Sequence, residues 1–552
     1  MSETLEVAAT GAAADAIRAH VPALVEEGFA GKLFAQDATL WGPEAEEESA
    51  KRLSWVTLPR TSRPLVGEMS ALRSELNDAG IDHVVLCGMG GSSLAPEVIC
   101  ASYGVELTVL DSSNPDQVRA AVADRLDRTV VVVSSKSGST VETDSQKRAY
   151  EQAFTDAGID PATRIVIVTD PGSPLDKASR EAGYRVVNAD PDVGGRYSAL
   201  TAFGLVPSGL AGADIATLLD EAEAVSDLLA DDDEANPGLR LAAAMAGTSP
   251  LRNKLVLVDQ GSGLVGFADW AEQLVAESTG KDGTGILPVV VASSSDPEVA
   301  LPPHDVTVAR LVDDGDDDAG TTGDAEHDPD DTADGSAGSD VAVTGPLGAQ
   351  MLLWEVATAA AGRLLGINPF DQPDVESAKI AARSMLEGEP DTTPPAFTDG
   401  PVEVRALGGD WLGSASTLTD AVAALLAEVD GQQGYVAVMA YLDRLQHADL
   451  ADVRNTLAHR VRRPVTFGWG PRFLHSTGQF HKGGPAEGVY LQITADPAED
   501  LPVPGKDYTF GRLIAAQAAG DASVLADHGR PVLRLHLTDL AAGVAAVRAA
   551  LQ

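Results

Sequence analysis

The chain has 552 residues, 44% of them hydrophobic, and its 83 Asp and Glu outnumber 39 Lys and Arg, for a formal charge of −44 and a pI near 4.4. That length calls for about two or three domains with substantial cores, and the charge excludes a nucleic-acid binder, since a polyanion needs a basic surface that this composition does not offer. No apolar run approaches the roughly 18 residues of a membrane span, and the two cysteines, Cys87 and Cys100, support neither a disulfide framework nor a zinc site.

In chain order, the N-terminal stretch MSETLEVAATGAAADAIRAH carries acids and polar breaks where a secretory leader needs a basic start and an apolar core. A cytoplasmic protein is expected, and residues 1–60 read as a helical arm. Between residues 61 and 236, short β-branched runs are each followed by a helical pattern: HVVLCG (83–88), LTVLD (107–111), TVVVVSS (129–135) and RIVIVTD (164–170). This is the mark of βαβ units around a buried parallel sheet. In such sheets ligands gather beyond the carboxyl ends of the strands.

After HVVLC comes GMGGSSLAPE, in which Gly88, Gly90 and Gly91 let backbone N–H groups approach an anion, with Ser92 and Ser93 near a helix start. A dinucleotide site with Asp111 on the ribose is the alternative, but Ser93 stands where the third glycine of G-x-G-x-x-G belongs. The loop after TVVVV decides for a small phosphate ester. SSKSGST gathers Ser134, Ser135, Ser137, Ser139 and Thr140 at a strand-to-helix turn, where hydroxyls and helix-start amides can surround phosphate oxygens without a metal. One of these hydroxyls has a structural reading, since Ser139 and Glu142 fit a capping box. DVGGRYSAL then presents Arg196 in a glycine turn, where it could also bond nearby carbonyls.

DDDEANPG (231–238) reads as a junction to a second unit, residues 237–552, which opens with KLVLVDQ (254–260). In WAEQLVAESTGKDG, Trp270, Leu274 and Glu277 fall within about 60° of one another at roughly 100° per residue, so Glu277 points inward beside Gln273. The helix is expected to stop at Gly280, a common C-terminal residue, leaving Glu277 in the last turn as a candidate general base. A surface pair of Glu277 with Lys281 at i+4 is the bland alternative. Residues 312–340 contain neither Lys nor Arg and read as a disordered acidic insertion. A calcium loop at Asp314, Asp316 and Asp318 is disfavoured, because its glycine comes at the seventh position and no Glu closes it.

FDQPDVESAK presents Gln372 and Lys379 across a helix start, where Lys379 could simply pair with Glu376, and EPDTTPPAFTDGP (389–401) is a linker or loop. A second strand series follows in YVAVMAYL (435–442), VTFGWG (465–470), VYLQIT (489–494) and VLRLHL (532–537). Between its members, FLHSTGQFHKGG offers His475, His481 and Lys482 in a polar loop. Two α/β domains are the simplest account.

Taken together, GMGGSSLAPE, SKSGST, VGGRYS, QLVAESTGKDG, LGINPFDQPDVESAK and LHSTGQ closely resemble the motifs of phosphoglucose isomerase, in the sugar isomerase (SIS) domain class. The similarity is nearest to the isomerase portion of transaldolase–phosphoglucose isomerase fusions, whose C-terminal part also resembles residues 430–552. The resemblance implies two three-layer α/β/α domains of SIS type with mainly parallel sheets, and interconversion of glucose 6-phosphate and fructose 6-phosphate in glycolysis and gluconeogenesis, with no metal or organic cofactor. Carried over by position, Gly91, Ser92, Ser135, Ser137 and Thr140 would hold the phosphate, and Gln273 and Gln372 would contact substrate. Glu277 would move the proton between C2 and C1 through a cis-enediol, with Arg196 stabilising the enediolate. His475, aided by Lys379, would open the sugar ring.

One departure stands out, because the family places its histidine segment between the glutamate and the lysine, whereas LHSTGQ here follows Lys379 by almost a hundred residues. His481 is therefore the fallback for His475, and the segment must fold back into the second sheet for either to serve. In the family the histidine reaches across a subunit boundary, which implies a homodimer. Alternatives are an isomerase that also accepts mannose 6-phosphate, and a non-catalytic phosphosugar sensor. A sensor has no use for Glu277, Arg196 and Lys379 as a set.

Overall fold

The computed structural model describes residues 5–313, 339–388 and 393–552. The acidic segment 314–338, with the calcium-loop alternative, and positions 389–392 of the linker lie outside the described residues.

The chain opens on a strand, β1 (Glu6–Thr10), ahead of the helix Gly11–Glu27. The first sheet then forms from β2 (His83–Cys87), β3 (Thr108–Leu110), β4 (Thr129–Ser134), β5 (Ile165–Thr169) and β6 (Arg185–Asn188), all parallel, in the order β3-β2-β4-β5-β6. β2, β4 and β5 are buried along their whole length, which is why their apolar runs are continuous instead of alternating.

β7 (Lys254–Gln260), β8 (Leu287–Val291), β9 (Val306–Val312) and β10 (Ser339–Thr344) build the second sheet, with β1 closing its edge, in the order β1-β10-β9-β7-β8. Among the described residues β1 is its one antiparallel member, paired from Glu6 opposite Thr344 to Thr10 opposite Asp340. The expected N-terminal arm is thus mainly helical but begins with a strand, and Ala13, Ile17, Val21 and Leu24 of its first helix are buried in the core. DDDEANPG is the turn between two helices that both pack on the helix Leu347–Leu365, and Asn236 caps the second by accepting from the N–H groups of Gly238 and Leu239.

The C-terminal strand series forms a third sheet: β11 (Phe397–Asp399), β12 (Val402–Leu407), β13 (Tyr435–Tyr441), β14 (Val465–Trp469), β15 (Gly488–Ala495) and β16 (Val532–Leu537). Its order is β11-β12-β16-β15-β13-β14, with β13 to β16 parallel, β12 antiparallel to β16 and β11 antiparallel to β12. The fold is therefore mixed α/β with mainly parallel sheets, as expected, but residues 237–552 carry two sheets, and the segment holding His475 belongs to the third.

The first two sheets share one apolar core, in which Leu86 and Val132 join Leu255 and Leu257 around the buried helix Leu347–Leu365. A separate core joins the second sheet to the third through Val256, Val258, Ala437 and Met439. At roughly 25 cal/mol per Å² of apolar surface removed from water, these seams hold the three units as one body. No described helix is long and apolar enough to cross a membrane.

Candidate active site

Glu277 lies in the last turn of the helix Phe267–Thr279, whose apolar face buries Trp270 and Leu274. The period that sinks those side chains also turns Glu277 inward, leaving its side chain 13% exposed. Gln273, one turn earlier, donates Nε2 to Glu277 Oε2 at 3.0 Å and to the His475 carbonyl at 2.7 Å. Arg196 Nη1 stands 3.5 Å from Glu277 Oε1. The surface pair with Lys281 does not form. Lys281 is buried and donates Nζ to the carbonyls of Asn368 and Asp371 and to Asp371 Oδ1. Burial and the adjacent Arg196 push this amine down to about 8, against the opposing pull of Asp371. Gly280 follows the helix as expected, but with φ of −77°. Its glycine is required by proximity, since a Cβ there would lie 2.4 Å from Phe480 Cα.

Arg196 sits in the short turn Gly195–Tyr197 and is 3% exposed. Its bonds leave that turn entirely. Nε donates to Ser278 Oγ at 2.8 Å, Nη1 to Gln372 Oε1 at 2.7 Å, and Nη2 to the carbonyls of Pro369 and Asp371 at 2.7 and 2.9 Å. Arg196 and Lys281 thus grip the loop 368–372 that delivers Gln372, the residue ahead of the helix Pro373–Glu387 bearing Lys379. Gln479 Oε1 accepts from the Asp374 and Val375 N–H groups and so caps that helix.

The glycine loop is shaped by close approach. A Cβ on Gly91 would lie 1.9 Å from the Gly195 carbonyl oxygen, and one on Gly90 would lie 2.8 Å from Gln273 Nε2 and 2.9 Å from His475 Cβ. Ser92 ends the turn Gly90–Ser92, and Ser93 is buried with its hydroxyl donating to the Gly90 carbonyl. In the loop after β4, Ser135 Oγ accepts from the Gly138 N–H at 3.1 Å and lies 3.5 Å from Thr140 Oγ1, while the Ser137 and Ser139 hydroxyls are 2.6 Å apart. The capping box is absent: Thr140 precedes the helix Val141–Asp156, and its side chain makes no cap bond. Glu142 points instead to His475 Nε2, at 3.1 Å from Oε1, and accepts from Gln517 Nε2 at 2.6 Å.

His475 ends the short turn Arg472–His475 after β14. With Thr140, Glu142, Lys379 and Gln517 it lines a cavity of about 140 Å³. Burial raises the Glu142 carboxyl, but the hydrogen bond and charge of His475 outweigh it, and the nearby Lys379 adds to them, so the group is held below the ordinary carboxylate value. His481 is the correction. It is 2% exposed, neither ring nitrogen has a hydrogen-bond partner among the described residues, and its ring stacks on Tyr435 between Phe473 and Tyr490. Burial, with Lys482 and Arg530 nearby, pushes it well below its usual value, so it is a neutral core side chain. Asp111 is also answered: Arg472 Nη1 lies 2.5 Å from it and Arg444 Nε 3.3 Å, so this carboxylate is engaged with arginines and not open to a ribose.

Two groups of residues therefore meet at Gln273. Glu277, Arg196 and Gln372 form one set, with Arg196 paired to the carboxylate and hydrogen-bonded to Gln372, and His475, Glu142, Lys379 and Thr140 share the wall of the adjoining cavity. The arrangement offers a buried carboxylate beside a fixed guanidinium, and an imidazole held by a second carboxylate, which suits paired proton transfers. Sequence reasoning missed Glu142, Lys281, Gln479 and Gln517 as members. Glu142 had a local signal that pointed elsewhere, and the others act on partners far away in sequence.

The phosphoglucose isomerase family model matches residues 74–283. A probable glucose-6-phosphate isomerase of Natronomonas pharaonis is 28% identical over 374 residues, covering 61% of this chain and 86% of that protein. A glucose-6-phosphate isomerase of Cyanothece sp. is 35% identical over 216 residues, 36% of this chain and 40% of that protein, so this match takes in less than half of the relative's length. Among solved structures, a glucose-6-phosphate isomerase from Chlamydia trachomatis shares the fold with a TM-score of 0.54 at 22% identity, covering 67% of this chain and 86% of that one. With the motif loops, the inward glutamate and the arginine assembled as described, residues 74–283 of this chain are those that match the phosphoglucose isomerase family.

Proposed function

We propose that the chain interconverts glucose 6-phosphate and fructose 6-phosphate. The observation that carries this reading is the Glu277 carboxylate, fixed by Gln273 and facing a buried Arg196. A carboxylate so placed can take the C2 proton and return it to C1. A guanidinium already held by four bonds has little left to reorganise as negative charge develops, a form of preorganisation whose loss typically costs about 3 to 4 kcal/mol. His475, oriented by Glu142, transfers a proton at the ring oxygen with Lys379 on the same cavity wall, while Ser92, Ser135, Ser137 and Thr140, with the Gly91 amide, receive the phosphate. A cytoplasmic setting and a homodimer belong to the same proposal, supported by the resemblance to phosphoglucose isomerases. Sedimentation at twice the chain mass of 57.0 kDa is expected, and a monomer would remove the dimer from it.

The test is conversion of fructose 6-phosphate to glucose 6-phosphate by the purified chain, followed through a coupled dehydrogenase, with mannose 6-phosphate in parallel. Glu277→Gln is expected to lower kcat by about three orders of magnitude with KM nearly unchanged. Undiminished turnover would reject the assigned base. Phosphosugar binding without turnover in the unaltered chain would favour a sensor.

A further inference from the structure

The third sheet has its own topological switch point. From β13 the chain crosses by the helix Val453–Val461 to β14 on one side, then returns to lay β15 on the other side of β13, with β16 beyond it. In open parallel sheets the crevice at the carboxyl ends of two such strands is where ligands bind. Here β13 ends at Tyr441 and β15 at Ala495, and a cavity of about 260 Å³ opens there.

Its lining reverses the charge of the molecule. Across the chain, acids outnumber Lys and Arg by 83 to 39, whereas around this cavity Arg405, Arg512 and Arg534, with His536, stand against Glu403 and Asp496. Arg405 Nη2 pairs with Glu403 at 2.8 Å and its Nε donates to the Thr393 carbonyl. Arg512 gives Nη2 to the Gly388 carbonyl, but its Nε is buried with no hydrogen-bond partner among the described residues. His536 meets Thr494 Oγ1 at 3.0 Å and Asp496 at 3.5 Å. Three guanidinium groups on the wall of one crevice are of the chemistry that suits phosphate oxygens, and in so acidic a protein an anion must be held by such a local reversal of charge.

The cavity is also separate from the active site. The helix Phe510–Asp527 turns Leu513 and Gln517 toward the active-site cavity and Arg512 and Ala515 toward this one. We propose that the third sheet carries a second site for a phosphate ester, at the carboxyl ends of β13, β15 and β16, held by Arg405, Arg512, Arg534 and His536.

The test is calorimetric titration of the full chain with inorganic phosphate at low salt, in a Ser135→Ala, Ser137→Ala background that weakens phosphate at the active site. One binding event is expected to survive there, to weaken at least tenfold on Arg534→Gln, and to persist on Arg534→Lys. Arg512→Gln, on a helix instead of a strand, carries the same expectation if Arg534→Gln fails to fold. Competition by adenosine monophosphate or by ribose 5-phosphate then identifies the ester. Absence of binding in the serine background, binding indifferent to both arginine changes, or failure of both esters to displace phosphate would each overturn the proposal.

Discussion

Two histidines of one short segment meet opposite fates. His475 faces a carboxylate at a cavity wall, whereas His481 is sealed among aromatic rings, its ring nitrogens without a hydrogen-bond partner among the described residues. His475→Ala is expected to slow turnover by about 10²- to 10⁴-fold. His481→Leu, which removes a buried polar group of similar volume, is expected to leave turnover intact and stability within about 1 kcal/mol. Steady-state rates and thermal melts of the two variants check this, and equal losses in both would reject the assignment.

Glu272 makes a second residue-scale prediction. Burial and the neighbouring Asp269 raise its carboxyl to about 8, against the bond from Ser476 and the charge of Arg472. A folded value above the unfolded one means that the native state holds an extra proton between about pH 4.5 and 8, so this group's stabilisation is full below that window and fades as pH rises through it. The Glu272→Gln protein should lose a slope of up to about 1.4 kcal/mol per pH unit across the window. Denaturant midpoints at pH 5, 6.5 and 8 measure this, and parallel curves for the two proteins would contradict it.

At the scale of elements, the helix Phe267–Thr279 must end in a residue without a side chain because the helix Gly478–Gly483 crosses its end. Gly280→Ala is expected to cost about 1 to 3 kcal/mol by overpacking, and to lower turnover because displacing Phe480 disturbs the segment that carries His475. A melt and a rate on the same preparation test this together; a full rate with a lowered melting temperature would separate the two elements. What could be read beforehand followed the range of the forces involved. The Glu277 face, the two strand-to-helix loops rich in glycine and serine, and the long buried strands are set by neighbours a few residues apart, and they were legible. EVAAT was not read as a strand, because its partner β10 lies more than three hundred residues on. Glu142 was misread for the same reason, since the capping box is a local pattern and the histidine that overrides it lies 333 residues away.

At the scale of the molecule, the third sheet is what the linear reading could not place, because parallel strand runs look alike whichever sheet they join. Its attachment is electrostatic as well as apolar. Arg472 and Arg444 each pair with both Glu97 and Asp111 of the first unit, so the turn that ends in His475 is anchored beside the glycine loop. The displaced order of the histidine motif is thereby reconciled with a site in which Glu277 and His475 of one chain come together around Gln273.

That meeting within one chain bears on inheritance as much as on chemistry. Where a catalytic group crosses between chains, two differently crippled alleles can rescue each other by sharing one intact centre in a mixed assembly. Here Glu277 and His475 travel on the same polypeptide to the same centre, so co-expressed Glu277→Gln and His475→Ala chains are expected to remain as inactive as either alone. Recovery of about a quarter of the turnover or more on mixing would show that chains exchange their third sheets.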